Sequence, residues 1–186
     1  FWVSVKPKTL GIDPSKIKSM NRIAFEDSST QALIVVKDGK LIHEKYADGF
    51  DKTSHGTSWS MAKSFYAALV GISLEKGEIE SLDDPVSKYL PQFGDDRRSI
   101  TLRNILNMDG GLEYPEDQHE KMFLYNDQLK YALSVPLEKK PGSIWEYNNV
   151  NSMLLGAILE SATGISADAL LEERILEPLG INNATL

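Results

Sequence analysis

Ser60 and Lys63 stand three positions apart in Ser60-Met61-Ala62-Lys63, and on a helix that spacing puts a hydroxyl and an ammonium on one face, about one turn apart. Serine is a weak nucleophile until a base takes its proton, and a lysine in a partly desolvated pocket gives up its own proton more readily than one in water. A helix N-terminus would add backbone N–H groups aimed at the space before Ser60, where an oxyanion forms during acyl transfer. Taken alone, the four residues also read as a helix cap followed by a solvated charge. Against that ordinary reading, a lysine in the first turn opposes the helix dipole, and the helix it opens is otherwise strongly apolar.

Tyr147-Asn148-Asn149 follows Pro141-Gly142-Ser143-Ile144-Trp145-Glu146, just before a helix expected from about Val150. A tyrosine beside a cationic lysine is driven toward phenolate, which makes Tyr147 a proton acceptor from Ser60 and a donor to a leaving group. Asn149 can hold Lys63 or a substrate amide, since its side chain both donates and accepts. The ordinary alternative is an aromatic and two turn-forming asparagines that start a helix. Trp59, Trp145 and Tyr125 are candidates for walling a substrate pocket, with core packing as the alternative. His43, His55 and His119 lie far apart without metal-ligand spacing, so no metal site is expected, and His43 reads as a strand side chain. Glu113, Glu116 and Asp117 read as solvated loop carboxylates, and Gly110-Gly111 as a turn.

The elements that must position these groups are legible in outline. Asp13-Pro14 opens a helix with Ile17, Met20 and Ala24 on one face, and Ala32 to Val36 and Leu41 to Tyr46 form a hairpin about the type I′ turn Asp38-Gly39. Met61, Phe65, Ala68, Leu69 and Ile72 make the stripe of a helix starting at Ser60 and ending near Gly77. Thr101 caps a short helix ended by Asp109-Gly110-Gly111, a helix is expected over about 127–134, and another carries Met153, Leu154, Ala157 and Ile158 up to Gly164. A last helix spans about 167–176.

The whole chain has 186 residues, 41% hydrophobic and 25% charged, which suits one globular domain and argues against disorder and coiled coil. A net charge of -7 argues against nucleic acid as the partner and mildly against a strongly anionic substrate. Without cysteine there is no disulfide, thiolate metal site or cysteine nucleophile. No apolar run approaches the roughly 18 residues of a membrane span. The chain opens on Phe1 rather than Met, so residues are expected to precede it, and the compartment stays open between the cell envelope and the cytoplasm.

These residues together resemble the serine β-lactamase and penicillin-binding-protein superfamily, in its branch of class C β-lactamases, esterases and 6-aminohexanoate-oligomer hydrolases. The resemblance runs in order through the hairpin Leu33 to Tyr46, Thr57 to Phe65, Leu82-Asp83-Asp84-Pro85, Tyr89-Leu90-Pro91 and Ile100 to Leu106. It continues through Pro141-Gly142, Tyr147-Asn148-Asn149, Leu154-Leu155-Gly156, Thr163-Gly164 and Glu177-Pro178-Leu179-Gly180. It implies an α+β fold, an antiparallel sheet represented here by the hairpin alone (1–50) with a helical lobe (51–186), in a single incomplete domain. It also implies an acyl-enzyme on Ser60, with Lys63 and Tyr147 moving the proton, an ester, amide or β-lactam substrate, and no cofactor. A D-Ala-D-Ala peptidase and a catalytically silent binding module are the rival readings.

Two departures stand out. Met108-Asp109-Gly110-Gly111 replaces a frequent Thr-Ser-Gly and puts a carboxylate toward the expected rim of the site, and the family's late Lys/His-Thr/Ser-Gly strand is missing. Strands beyond residue 186, or a completing chain, are therefore expected to finish the sheet.

Overall fold

Asp38 and Gly39 reverse the chain with φ of 50° and 69°, the left-handed pair that a type I′ turn requires, and so bring the β-branched run Ala32 to Val36 beside the strand that follows. The computed structural model describes residues 2–115, 117 and 122–184. His119 and Glu116 of the sequence reading lie outside them. The chain forms two units, 1–57 and 58–186.

In the first unit, β1 (Val3–Ser4), α1 (Pro14–Ala24), β2 (Ala32–Lys37) and β3 (Lys40–Tyr46) follow in order. β2 and β3 pair antiparallel, Ala32 opposite Tyr46, with a register shift between Val35 and Val36. β1 adds in parallel to the other side of β3, so the sheet is mixed, in the order β1-β3-β2, rather than the antiparallel hairpin alone. Two residues are too few to show a period of two in sequence, which is why β1 escapes pattern reading. Asp13 caps α1 by accepting from the Ser15 N–H at 2.8 Å, and Ile17, Met20 and Ala24 are half-buried on one face. His43 is a strand side chain, its Nε2 bonded to Asn21 of α1 at 2.7 Å, and His55 lies exposed in the loop beyond β3.

The second unit is helical. α2 (Ala62–Glu75), α3 (Leu102–Asn107), α4 (Gln128–Ser134), α5 (Asn149–Thr163) and α6 (Ala167–Leu171) surround a core in which α5 contributes Val150, Leu154 and Ile158, all fully buried. Each such side chain stabilises the fold by about 1.5–3 kcal/mol relative to leaving it exposed. α2 turns Leu69, Val70 and Ser73 inward, while Met61 and Ala68, expected on the same stripe, are exposed. The large side chains Tyr66, Leu69 and Val70 choose the buried side, and small Ala67 and Ala68 are left outside. The helix itself starts at Ala62, after a 3₁₀ turn over Trp59–Met61 that carries Ser60.

Thr101 and Asn104 form a reciprocal capping box at α3, Asp127 caps α4 through the Lys130 N–H at 2.8 Å, and Gly164 ends α5 at φ 74°. α6 runs on as a π-helical turn, Glu172–Leu176, within the last helix expected from the sequence. From that turn Arg174 clamps Glu78 with both nitrogens at 2.6 and 2.7 Å and donates to Ser73 at 3.1 Å, which ties the C-terminal end of α2 in place. No single helix among the described residues is long and apolar enough to cross a membrane.

Candidate active site

The 3₁₀ turn before α2 holds Trp59 at φ 45°, a left-handed conformation that costs a bulky residue of the order of 1–3 kcal/mol and persists only where neighbours enforce it. Ser60 follows it. Lys63, in the first turn of α2 and half-buried, donates from Nζ to Ser60 Oγ at 3.0 Å. From 87 positions further along the chain, the Tyr147 hydroxyl donates to the same Oγ at 2.5 Å. The Lys63 ammonium lies 5.2 Å from the Tyr147 ring centroid. Hydrogen bonding with Ser60 and Lys63, together with the lysine charge, holds the Tyr147 phenol below its ordinary value, against an opposing effect of burial. One oxygen therefore sits between an ammonium and an acidified phenol. Such a cluster can pass a proton from the serine to the tyrosine and back to a departing group.

Tyr147 is delivered by a loop that the chain before it fastens. Met108 ends α3 in the left-handed region at φ 59°, where its carbonyl accepts from Glu146 N–H at 3.0 Å. The Asp109 carbonyl accepts from Gly142 N–H at 2.8 Å, and the Gly111 carbonyl accepts from Glu138 and Lys139 at 2.9 and 3.0 Å. The Asp109 carboxylate, expected at the rim of the site, instead accepts from the Asn104 amide at 2.9 Å. The capping side chain of α3 thus captures it, and Asp109 positions backbone. Buried Asn148 caps α5 through Val150 N–H at 2.9 Å and donates to the Leu112 carbonyl at 3.1 Å, a second fastening that pattern reading missed.

Gly111 has φ 72°, and a Cβ built there would lie 2.1 Å from the Lys139 carbonyl oxygen. Gly111→Ala is expected to cost about 2 kcal/mol or more, from the strained conformation together with the clash. A thermal melt checks it, and a midpoint within about 1 °C of the parent would contradict it.

A cavity of about 460 Å³ opens beside Ser60, lined by Trp59, Lys63 and Asn149 among others. Asn149 is buried and donates to the Tyr114 hydroxyl at 3.3 Å, while burial pushes the Tyr114 phenol up. Trp59 is 75% exposed on the cavity edge, whereas Trp145, 67% exposed, is outside the lining. Tyr125 stacks on Tyr131 with ring centroids 4.4 Å apart, half-exposed and outside the core. Tyr66, Met122 and Leu129, not singled out in the sequence, also line the cavity, as does Met153, read there only as a helix-face residue. Two of them had a signal there: Tyr66 lies three positions after Lys63, and Met153 four after Asn149, hence on the same helix faces.

A family model described as Beta-lactamase matches residues 25–186. A curated protein of Escherichia coli (strain K12), provisionally named a D-alanyl-D-alanine carboxypeptidase, is 26% identical over 95% of this chain and 48% of its own length. The chain thus spans about half the length of the curated relatives it matches. A structure from Bacteroides dorei DSM 17855, provisionally named a beta-lactamase, superposes with a TM-score of 0.75 at 28% identity, over 92% of this chain and 53% of that one. One from Bacillus anthracis, provisionally named a 6-aminohexanoate-dimer hydrolase, gives a TM-score of 0.71 at 25% identity, over 83% and 45%.

Proposed function

This chain belongs to the beta-lactamase family, serine hydrolases with an α+β, β-lactamase/transpeptidase-like fold, and from that premise we propose that it cleaves an ester or amide bond through an acyl-enzyme on Ser60. The observation that carries the proposal is the double hydrogen bonding of Ser60 Oγ, to Lys63 at 3.0 Å and to Tyr147 at 2.5 Å.

In the reactive form Tyr147 is a phenolate, stabilised by the Lys63 ammonium. It takes the Ser60 proton as Oγ bonds to the substrate carbonyl carbon, and the carbonyl oxygen becomes an oxyanion. Collapse of that intermediate breaks the carbonyl–oxygen or carbonyl–nitrogen bond, and Tyr147 returns its proton to the leaving atom. Water then attacks the acyl group, releases the acid and restores Ser60. No step calls for a cofactor.

A D-Ala-D-Ala-type peptide is the second substrate reading, supported by the provisional name of the Escherichia coli relative. The two units are proposed to belong to one domain, completed by strands from outside this chain, which its half-length match to relatives supports.

Intact-mass spectrometry after treatment with a fluorophosphonate, a nitrophenyl ester and a penicillin tests the proposal. One adduct is expected on the parent protein and none on Ser60→Ala. The reagent that turns over names the bond cleaved. If no reagent leaves an adduct on the parent, either alone or extended by the strands proposed to complete its sheet, the hydrolase reading falls and a binding role replaces it; labelling of the extended protein alone supports the incomplete-domain reading.

A further inference from the structure

Tyr114 carries a polar atom that packing does not account for. Its ring is half-buried against the core of the second unit, a role that a phenylalanine would fill equally. The chain leading to it is pinned: Leu112 is buried, its carbonyl accepts from Asn148 at 3.1 Å, and the Glu113 N–H donates to the Pro136 carbonyl at 2.9 Å. That fixes where the hydroxyl lies. Its oxygen accepts from Asn149 twice, from the side-chain Nδ2 at 3.3 Å and from the backbone N–H.

The contact has a direction. Asn149 opens α5, where the first N–H groups have no partner inside the helix, and a backbone N–H can only donate, so the phenol oxygen has to accept. The single phenol proton turns instead to the Met122 thioether at 4.0 Å. Burial keeps that proton in place by pushing the phenol up. An acceptor at this position suits only the N–H end of the Asn149 amide, and the carbonyl end is turned away from Tyr114. Asn149 lines the cavity beside Ser60 and Lys63, whereas Tyr114 is outside that lining. Resting on the acyl-enzyme reading above, we infer that Tyr114 is a positioning residue for acylation, whose phenol oxygen fixes which end of the Asn149 amide faces the cavity. The Tyr147 phenol is set separately, by Ser60 and Lys63, so this role predicts a change in rate without a change in the pH midpoint of acylation.

Tyr114→Phe removes the oxygen and keeps the ring. Pre-steady-state bursts from 4-nitrophenyl acetate are compared on the parent, Ser60→Ala, Tyr114→Phe, Asn149→Ala and the double variant, in the form of the protein that labels at Ser60, with circular dichroism to verify folding. Tyr114→Phe should acylate about tenfold more slowly, the rate equivalent of one hydrogen bond, at an unmoved midpoint. Beside Asn149→Ala the same change should cost about twofold or less, because the amide that it orients is gone.

A folded Tyr114→Phe that acylates at the parent rate, or a loss that persists in full beside Asn149→Ala, overturns the positioning role while leaving the acyl-enzyme intact. So does a midpoint that climbs toward that of free tyrosine, since the oxygen would then act on the Tyr147 cluster rather than on Asn149. No burst from the parent, or an equal burst from Ser60→Ala, overturns both. If the double variant does not fold, the rate and midpoint of Tyr114→Phe still decide.

Discussion

Lys63→Met lowers the rate of Ser60 acylation by about a thousandfold, within the range expected when a positioned proton-transfer group is lost. Methionine keeps most of the half-buried stem and its packing while removing the ammonium that donates to Ser60 at 3.0 Å and lies 5.2 Å from the Tyr147 ring. Two effects then combine. Ser60 loses one of its two polar partners, and the Tyr147 phenol loses a cause of its lowered pKa.

The pH dependence gives a readout that mere unfolding would not. A depressed phenol pKa means that the basic phenolate is present at lower pH than in free tyrosine. Acylation by the parent should therefore rise with pH through a midpoint below the usual value of about 10, and in Lys63→Met that midpoint should move up toward it. Pre-steady-state bursts of nitrophenol between about pH 6 and 10, with circular dichroism to verify folding, measure both quantities. A folded variant that acylates at the parent rate with an unmoved midpoint would remove Lys63 from the mechanism.

Arg97→Ala lowers the unfolding free energy by about 3–5 kcal/mol, a large part of the ~5–15 kcal/mol that holds a typical domain. Arg97 is 6% exposed, and its guanidinium lies 4.2 Å from the Phe93 ring centroid. Nη1 donates to the Leu133 and Val135 carbonyls at 2.8 and 2.9 Å, and Nη2 to the Gln92 carbonyl and Asp95, each at 2.8 Å. Truncation leaves three backbone acceptors without a partner that only a planar fork can supply, so Arg97→Lys should recover little.

Asp95 contributes little by itself, because its side chain is 50% exposed. Arg97 nonetheless holds the Asp95 carboxyl down at about 2. The stabilisation this represents is present above the ordinary carboxylate range and fades as pH falls toward that value, so the variant should lose part of the parent's acid sensitivity. Urea titrations at neutral and acidic pH check both points, and a loss under about 1 kcal/mol at neutral pH would contradict the first.

Local rules carried much of this structure. Asp38-Gly39, the Asp13 cap, Thr101 and Gly164 each act over a few residues, and each was legible for that reason. The Ser60–Lys63 pair was legible because helical spacing alone brings the two side chains to one face. Tyr147 came from resemblance and side-chain chemistry, since no local pattern says that it reaches Ser60. Nothing in the sequence marked Arg97, because the carbonyls it satisfies lie 36 and 38 positions away. Met108 took the left-handed cap that sequence would give to glycine, while Gly110 packs against the Asn151 side chain and Gly111 against the Lys139 backbone. The left-handed Trp59 has no sequence signature at all; its conformation is imposed by the turn that presents Ser60.

The 87 positions between Ser60 and Tyr147 also bear on how the protein folds. Closing a loop of that length costs about 4 kcal/mol of chain entropy by the (3/2)RT ln n relation, before any constant term. Helices α2 and α5 can each form from near neighbours, but the reactive cluster exists only once this distant closure is complete. On the acyl-enzyme proposal, Ser60 labelling during refolding is therefore expected to report the arrival of the native topology rather than the recovery of helix.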